Sequence, residues 1–113
     1  MSSIMDSEQD IMNCQLAKVL PVITGKWNMP IVYYLSFGTL RFGELKKKLP
    51  AMADSNFSKI LRELEIAGVI NRRDYKTVPP KVEYSLTDIG KQMIPIMKEI
   101  ERFGKYYSKH IET

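Results

Sequence analysis

The sequence predicts a mostly α-helical domain with one small β-hairpin, which is an α+β fold, and three observations support this. Apolar residues recur at helical spacing, and the clearest set is Phe57, Ile60, Leu61 and Leu64. Residues 69–70 and 82–84 are predicted to be strands that flank a proline-bearing connection, which is typical of an antiparallel hairpin. A length of 113 residues with 44% hydrophobic and 27% charged residues suits one ordinary globular domain.

The N-terminal part of the chain divides into a tail and two helices. Residues 1–12 are polar and acidic without a sustained period, so we expect a flexible or partner-packing tail, followed by a single domain over residues 13–113. Residues 13–23 carry a helical stripe of Leu16, Val19, Leu20 and Ile23, which Pro21 should kink or shorten. A second helix is expected to begin near Asn28, a good N-cap, and to end at Gly38.

Two further helices joined by a short turn are predicted between residues 42 and 67. The first is short, from Phe42 to Leu49, and residues 50–53 make the turn. The second is expected over residues 54–67, with Asp54 or Ser55 as its cap and Gly68 as its stop. Because its apolar residues fix the inner face, the opposite face presents Ser55, Asn56, Ser58, Lys59 and Arg62.

The C-terminal segment, residues 86–111, is predicted to be a long helix capped by Thr87 and bent at Pro95. Its apolar residues step by three and four, which is the heptad spacing of a helix that packs along another helix. We therefore expect it to be a dimerisation helix. The residues expected at the interface are Ile89, Met93, Ile96, Ile100, Phe103 and Tyr107.

The basic surplus of the chain lies in residues 41–81, which contain ten lysines and arginines and five acidic residues, a net charge of +5 against +4 for the whole chain. Helix, turn, helix and a hairpin with a basic tip make a winged helix-turn-helix, and the gathered charge indicates a double-stranded DNA partner. The residues predicted to contact DNA, besides the helical face above, are Arg41, Lys46, Lys47, Lys76 and Lys81. Arg72 and Arg73 cannot both face DNA, because side chains alternate along a strand.

Two other interpretations of this module remain open. The helix of residues 54–67 can be a solvated amphipathic helix, and the charges of the hairpin can be a solvated run. A winged helix can also bind a protein rather than DNA, although such a binder has no need of the net charge of +5.

Other function classes lack their usual signatures. The sequence contains no Gly-rich phosphate loop and no Ser-His-Asp set, so we expect no enzyme and no cofactor. One cysteine and one histidine argue against a structural zinc site, and we expect no metal. Without a signal peptide or an apolar stretch of about 20 residues, a cytoplasmic location is expected.

Three motifs, in this order, carry a family resemblance: Gly25-Lys26-Trp27, Arg41-Phe42-Gly43-Glu44-Leu45 and Val82-Glu83-Tyr84-Ser85-Leu86-Thr87. With Cys14 before them, the chain resembles the HxlR-type bacterial winged-helix transcription regulators from Cys14 to about Gly104. A MarR-like regulator is the alternative family. The resemblance implies a cytoplasmic, nucleoid-associated homodimer in which the terminal helices form the interface. Such a two-fold dimer presents two half-sites about 34 Å apart.

The chain departs from the family pattern at three places. Gln15 follows the N-terminal cysteine where the family often has proline, and Pro21 stands where the first helix is usually polar. Residues 53–55 are Ala-Asp-Ser, whereas the family tends to have Ser-Pro-Lys. Because Asp54 repels phosphate unless it caps the helix, this third departure bears on which operator is recognised.

Cys14 matches the cysteine with which some members of the family sense electrophiles or oxidants. Lys18, four residues further along the helix, is a basic neighbour of the kind that favours a thiolate. The alternative is that Cys14 is a small buried hydrophobic residue. A small-molecule inducer is also conceivable, because Trp27, Tyr33, Tyr34 and Phe37 either line a pocket or simply pack in the core.

Overall fold

The computed structural model describes residues 14–111, so the expectation of a tail over residues 1–12 lies outside the described residues. The elements in chain order are α1 (Gln15–Thr24), α2 (Asn28–Leu35), β1 (Leu40–Arg41), α3 (Phe42–Lys48), α4 (Asp54–Ile66), β2 (Ile70–Asp74), β3 (Val82–Leu86), α5 (Asp88–Lys91) and α6 (Met93–Ile111). The predicted α+β class and the winged helix-turn-helix are confirmed: α3 and α4 form the helix-turn-helix, and β2 and β3 form the wing.

The sheet has three antiparallel strands in the order β1-β3-β2. In β2 and β3, Ile70 lies opposite Leu86 and Arg73 lies opposite Glu83. The strand β1 was not predicted, and it pairs Arg41 with Glu83 on the other side of β3. A two-residue strand is too short to show alternation in a sequence, so it can be recognised only from its partner.

The core lies where α2, α3 and α4 meet the root of the sheet. Phe57, Leu61 and Leu64 are buried and Ile60 is partly buried, which confirms the predicted inner face of α4. The ring of Phe42 at the start of α3 lies 5.1 Å from the ring of Phe57, measured between centroids. These contacts fix the orientation of α4, and therefore also the residues that its outer face exposes.

The start of α4 differs from the prediction that Asp54 or Ser55 caps it. Ala53 occupies the N-cap position and makes no side-chain cap hydrogen bond, and Asp54 is the first helical residue. The carboxylate of Asp54 instead lies 3.6 Å from the ammonium group of Lys46 in α3. The predicted stop at Gly68 is confirmed by its backbone φ of +81°, a left-handed conformation that glycine adopts readily.

The predicted helix over residues 86–111 is in fact two helices, α5 and α6, separated at Gln92. Leu86 belongs to β3, and Thr87 caps α5 as predicted, since its hydroxyl accepts a hydrogen bond from the N–H of Gly90 at 3.0 Å. Pro95 follows the break at Gln92 by three residues. It lies in the first turn of α6, where the missing N–H of proline leaves no hydrogen bond unmade.

Candidate nucleic-acid interface

The outer face of α4 exposes all five residues that the sequence predicted there: Ser55, Asn56, Ser58, Lys59 and Arg62. The face begins with short polar side chains and continues with basic ones further along the helix. Helices that lie in the major groove contact base edges mainly with their N-terminal residues. The arrangement therefore suits a recognition helix.

The first helix of the helix-turn-helix, α3, begins with a hydrogen bond from the N–H of Arg41 to Oε1 of Glu44 at 2.8 Å. Two of its predicted DNA-binding lysines differ in their surroundings. Lys46 is largely covered and is paired with Asp54, whereas Lys47 is exposed. Lys47 is therefore the more accessible to a phosphate.

The inner face of the wing is the face turned toward α4, and a cleft lies between this face and α4. The cleft has a volume of about 480 Å³. Arg72 lies on the wing side, where its Nη2 is 3.8 Å from Oδ2 of Asp74. The residues that line the cleft are Phe42, Ser58, Arg62, Glu65, Arg72, Val82 and Tyr84.

The outer face of the wing carries a cluster around Tyr75. Its ring lies between the guanidinium of Arg73, 4.4 Å from the centroid, and the ammonium of Lys81, 4.3 Å from it. Its hydroxyl donates a hydrogen bond to Oε1 of Glu83 at 2.6 Å. This hydrogen bond is the main reason why the pKa of Tyr75 is raised above its ordinary value.

The cluster bears on two predicted DNA contacts, Arg41 and Lys81. Arg41 is the cross-strand neighbour of Glu83, and Nζ of Lys81 lies 3.8 Å from Oε2 of Glu83. Both residues are thus grouped around Glu83 on the face of the sheet opposite Arg72. This cluster was not predicted from the sequence, although the alternation of Arg73 with Tyr75 and of Lys81 with Glu83 is visible there.

The tip of the wing contains Lys76, the remaining predicted contact. Lys76 has a φ of +53°, and its N–H donates to Oδ1 of Asp74 at 2.8 Å. The N–H of Tyr75 donates to the carbonyl of Lys81 at 2.9 Å and closes the loop. Val78 projects beyond it with 99% of its surface exposed. The tip therefore presents both a cation and an apolar side chain.

A second surface, on α1 and α6, is apolar and exposed. Five of the six residues predicted at the dimer interface are exposed, namely Ile89, Ile96, Ile100, Phe103 and Tyr107. The sixth, Met93, is only 6% exposed and packs in the core of its own subunit. On α1, Leu16, Val19 and Leu20 are also exposed. Exposed apolar patches of this extent usually mark an interaction site.

An apolar groove of about 920 Å³ separates α2 from α6. Of the four aromatic residues considered for a pocket, Tyr33, Tyr34 and Phe37 line this groove, whereas Trp27 packs against the core. The rings of Tyr33 and Phe37 meet edge to face, with centroids 5.2 Å apart. Of the two roles considered for these aromatic residues, Trp27 has the packing role and the other three line the groove.

Cys14 lies at the N-cap of α1, where its Sγ accepts a hydrogen bond from the N–H of Ala17 at 3.4 Å. The side chain is partly exposed rather than buried in a core. Across residues 14–111, no helix is long and apolar enough to cross a membrane. The same residues contain no group of three or more acidic, histidine or cysteine side chains that could hold a metal ion.

Comparison with known proteins places this arrangement in a family. The family model of HxlR-like helix-turn-helix proteins matches residues 22–112. An HTH-type transcriptional regulator of Methanothermobacter thermautotrophicus is 39% identical over 108 residues, which is 96% of this chain and 82% of the relative.

Two solved structures are similar in fold and sequence. A MarR-family transcriptional regulator from Porphyromonas gingivalis W83 has a TM-score of 0.77 and 35% identity, covering 82% of this chain and 91% of its own. The redox regulator HypR in its reduced form has a TM-score of 0.79 and 35% identity, covering 88% and 98%. The chain belongs to the HxlR-like helix-turn-helix family, and it is a transcription regulator of that family.

Proposed function

We propose that this regulator works as a homodimer that binds two operator half-sites in double-stranded DNA. Each subunit inserts α4 into a major groove and brings the wing, near residues 76–81, to the neighbouring minor groove. The observation that carries the proposal is the exposed polar and basic face of α4 beside the wing. The proposed location of the protein is therefore the cytoplasm, in association with the DNA of the nucleoid.

The residues of α4 divide by position into two roles. Ser55 and Asn56 lie in its first turn and are proposed to reach base edges, where an asparagine side chain can pair with adenine. Lys59 lies one turn further along and can reach either guanine or a phosphate. Lys47 of α3 and Lys76 of the wing tip are proposed to contact phosphates on either side, and Arg41, Lys46 and Lys81 to add to the positive field.

The apolar surface of α1 and α6 is proposed to form the dimer interface. It comprises Leu16, Val19 and Leu20 of α1 with Ile96, Ile100, Phe103 and Tyr107 of α6, and Ile89 of α5 extends it. Covering such residues with a second copy removes apolar area from water, which favours association. A two-fold dimer places its two recognition helices about 34 Å apart, which is one turn of DNA.

A response to thiol-reactive stress is the second proposal, and Cys14 is its candidate sensor. The support is that Cys14 is partly exposed, that it begins α1 beside the proposed interface, and that the redox regulator HypR shares the fold at 35% identity. A modification there can change how two subunits pack, and hence the separation of their recognition helices. A small-molecule inducer in the groove between α2 and α6 is the alternative signal.

The test of DNA binding begins with selection of operator duplexes from a random pool, followed by titration at several salt concentrations. We expect salt-sensitive binding with a dissociation constant below about 1 μM that competitor DNA does not remove. The double variant Asn56→Ala, Lys59→Ala should bind the operator more weakly. Lys91→Ala removes one charge from α5 at the root of the wing and is the control. Equal binding by the native protein and the double variant would refute the assignment of α4.

A further inference from the structure

The cleft between α4 and the inner face of the wing has arginines on both of its walls. Arg62 and Ser58 project from α4, and Arg72 projects from β2 on the opposite side. The inner position of Arg72 follows from the register, since Ile70 two residues before it is buried on the same face of the strand. Arg73, its neighbour, is on the other face, over the ring of Tyr75.

The geometry of DNA gives this cleft a specific neighbour. A major groove and the adjacent minor groove are separated by one sugar-phosphate strand. A helix in the first groove and a hairpin in the second must therefore straddle that strand, and whatever lies between helix and hairpin faces it. In this protein the space between them is the cleft.

The chemistry of the walls fits a phosphodiester. A guanidinium donates paired N–H groups to phosphate oxygens, and a serine hydroxyl adds a further donor. The ion pair of Arg72 with Asp74 is long, at 3.8 Å, and both side chains are more than a third exposed. Such a pair contributes little by itself, so a phosphate can compete with Asp74 for the guanidinium. Glu65 is the opposing charge among the lining residues.

We propose that this cleft seats one phosphodiester of the DNA backbone, held by Arg72 of the wing and by Arg62 and Ser58 of α4. This inference rests on the proposed function and adds Arg72 to the DNA-binding residues. It also assigns Arg62 and Ser58, which were predicted from the sequence to contact DNA, to the backbone rather than to base edges. A phosphate contact positions the protein without carrying sequence information, so its loss weakens binding to all sequences equally.

The experiment uses the selected operator with each bridging phosphate replaced in turn by an uncharged methylphosphonate. Native protein, Arg62→Ala and Arg72→Ala are titrated against the whole set at several salt concentrations. On the unmodified operator, each variant should lower the salt slope by about 1. On the operator in which the phosphate of this site is replaced, each variant should bind as tightly as the native protein does. The same phosphate should show this coupling for both arginines.

The matched control is Arg73→Ala, which removes the same charge from the adjacent residue on the outer face of the wing. It should show no coupling to that phosphate. Arg72→Gln provides a second variant with a similar side-chain length, and thermal unfolding confirms that each variant is folded. All four single variants should keep the sequence preference of the native protein.

The outcomes separate the two proposals. If Arg72→Ala leaves the salt slope unchanged, or if the two arginines couple to different phosphates, the proposed phosphodiester site is refuted while DNA binding stands. If Arg62→Ala relaxes the base preference at one operator position, Arg62 contacts a base and the proposed phosphodiester site is also refuted. If the native protein selects no duplex, the proposed function itself fails before any variant is compared.

Discussion

The ammonium group of Lys46 lies 3.6 Å from the carboxylate of Asp54, and this ion pair joins the two helices of the helix-turn-helix. The Lys46 side chain is 18% exposed and that of Asp54 is 80% exposed. Because the Asp54 carboxylate is open to solvent, the pair contributes at most about 1 kcal/mol to stability. Its larger consequence is electrostatic, because Asp54 brings a negative charge to the end of α4 that is proposed to approach DNA.

Replacing Asp54 with asparagine should therefore strengthen DNA binding. The substitution removes repulsion from phosphates and frees Lys46, so the affinity should rise and the salt slope should increase by up to about 1. The free energy of unfolding should fall by about 0.3–1 kcal/mol, because an acidic residue is lost from the first turn of a helix. Titration with operator DNA and chemical denaturation measure the two effects.

The control for this prediction is Asp88→Asn, which removes an acidic residue from the first turn of α5 at the root of the wing. It should leave the affinity for DNA unchanged. Weaker binding of Asp54→Asn to its operator would contradict the electrostatic account. It would mean that the carboxylate accepts a hydrogen bond from a base, as an aspartate can from cytosine.

Gly90 of α5 lies against the root of the wing, and this contact predicts a large effect of a small substitution. A Cβ at Gly90 would overlap the carbonyl oxygen of Val69 and lie 3.2 Å from Cδ2 of Leu86. The Val69 carbonyl also accepts the N–H of Thr87 at 3.0 Å, so it cannot move freely. Gly90→Ala should lower the free energy of unfolding by about 1–3 kcal/mol.

The control is Gly43→Ala in α3, where an added Cβ meets no atom within 4 Å. Because alanine favours the helical backbone, this variant should be stabilised by about 0.5 kcal/mol. Urea denaturation of both variants gives the comparison. Equal stability of Gly90→Ala and the native protein would show that the backbone at Val69 can shift without loss of stability.

The apolar face of α6 should be sensitive to charge. Ile100→Glu and Phe103→Glu place a carboxylate on the proposed interface, where an unpaired charge is costly to bury. We expect each to shift the protein toward the monomer at micromolar concentration, measured by size-exclusion chromatography with light scattering. Val78→Glu makes the same kind of change at the exposed wing tip and should leave the dimer intact. A dimer that survives both α6 substitutions would move the interface elsewhere.

A structural feature is predictable from the sequence when the contacts that determine it lie within one helix or strand and its immediate core. The face of α4 was predictable because Phe57, Leu61 and Leu64 all pack into the core of one subunit, so the helical period reports that core. The heptad stripe was less informative, because a period is the same whether a residue packs on its own subunit or on a partner. Met93 matches the stripe but is buried in its own subunit.

Other features depend on tertiary contacts that no local pattern contains. The close approach of Gly90 to Val69 is one such contact, and the exact position of the break at Gln92 was not predicted either. The orientation of Arg72 was available in principle, since Ile70 reads as a core residue and lies two positions earlier. The roles of the residues predicted to bind DNA remain predictions.

The hydrogen bond from Tyr75 to Glu83 predicts a pH dependence. Because this bond raises the pKa of the phenol, its contribution to stability is fully present below the ordinary tyrosine pKa of about 10 and is lost as the pH rises through the raised value. The difference in unfolding free energy between native protein and Tyr75→Phe should be constant from neutral pH to about pH 9 and should shrink above about pH 10. Urea denaturation across this range measures it, and a difference that falls already near neutral pH would contradict the assignment.

Cys14 gives a prediction that separates sensing from a purely structural role. The chain contains one cysteine, so a disulfide formed by diamide must join two molecules of the protein or attach a small thiol. Oxidised native protein should change its affinity for the operator and should show one of these products by non-reducing electrophoresis and mass spectrometry. Cys14→Ser should bind as the reduced native protein does and should not respond to diamide.

The serine variant is well matched because a serine hydroxyl can accept the N–H of Ala17 in place of the sulfur, and serine is a preferred N-cap residue. The cap of α1 is therefore kept while the thiol is lost. Cys14→Ala removes both, so any change in DNA binding that is seen with alanine but not with serine reports the cap alone. If the serine variant still responds to diamide, Cys14 is not the sensor, and the groove between α2 and α6 becomes the place to look for an inducer.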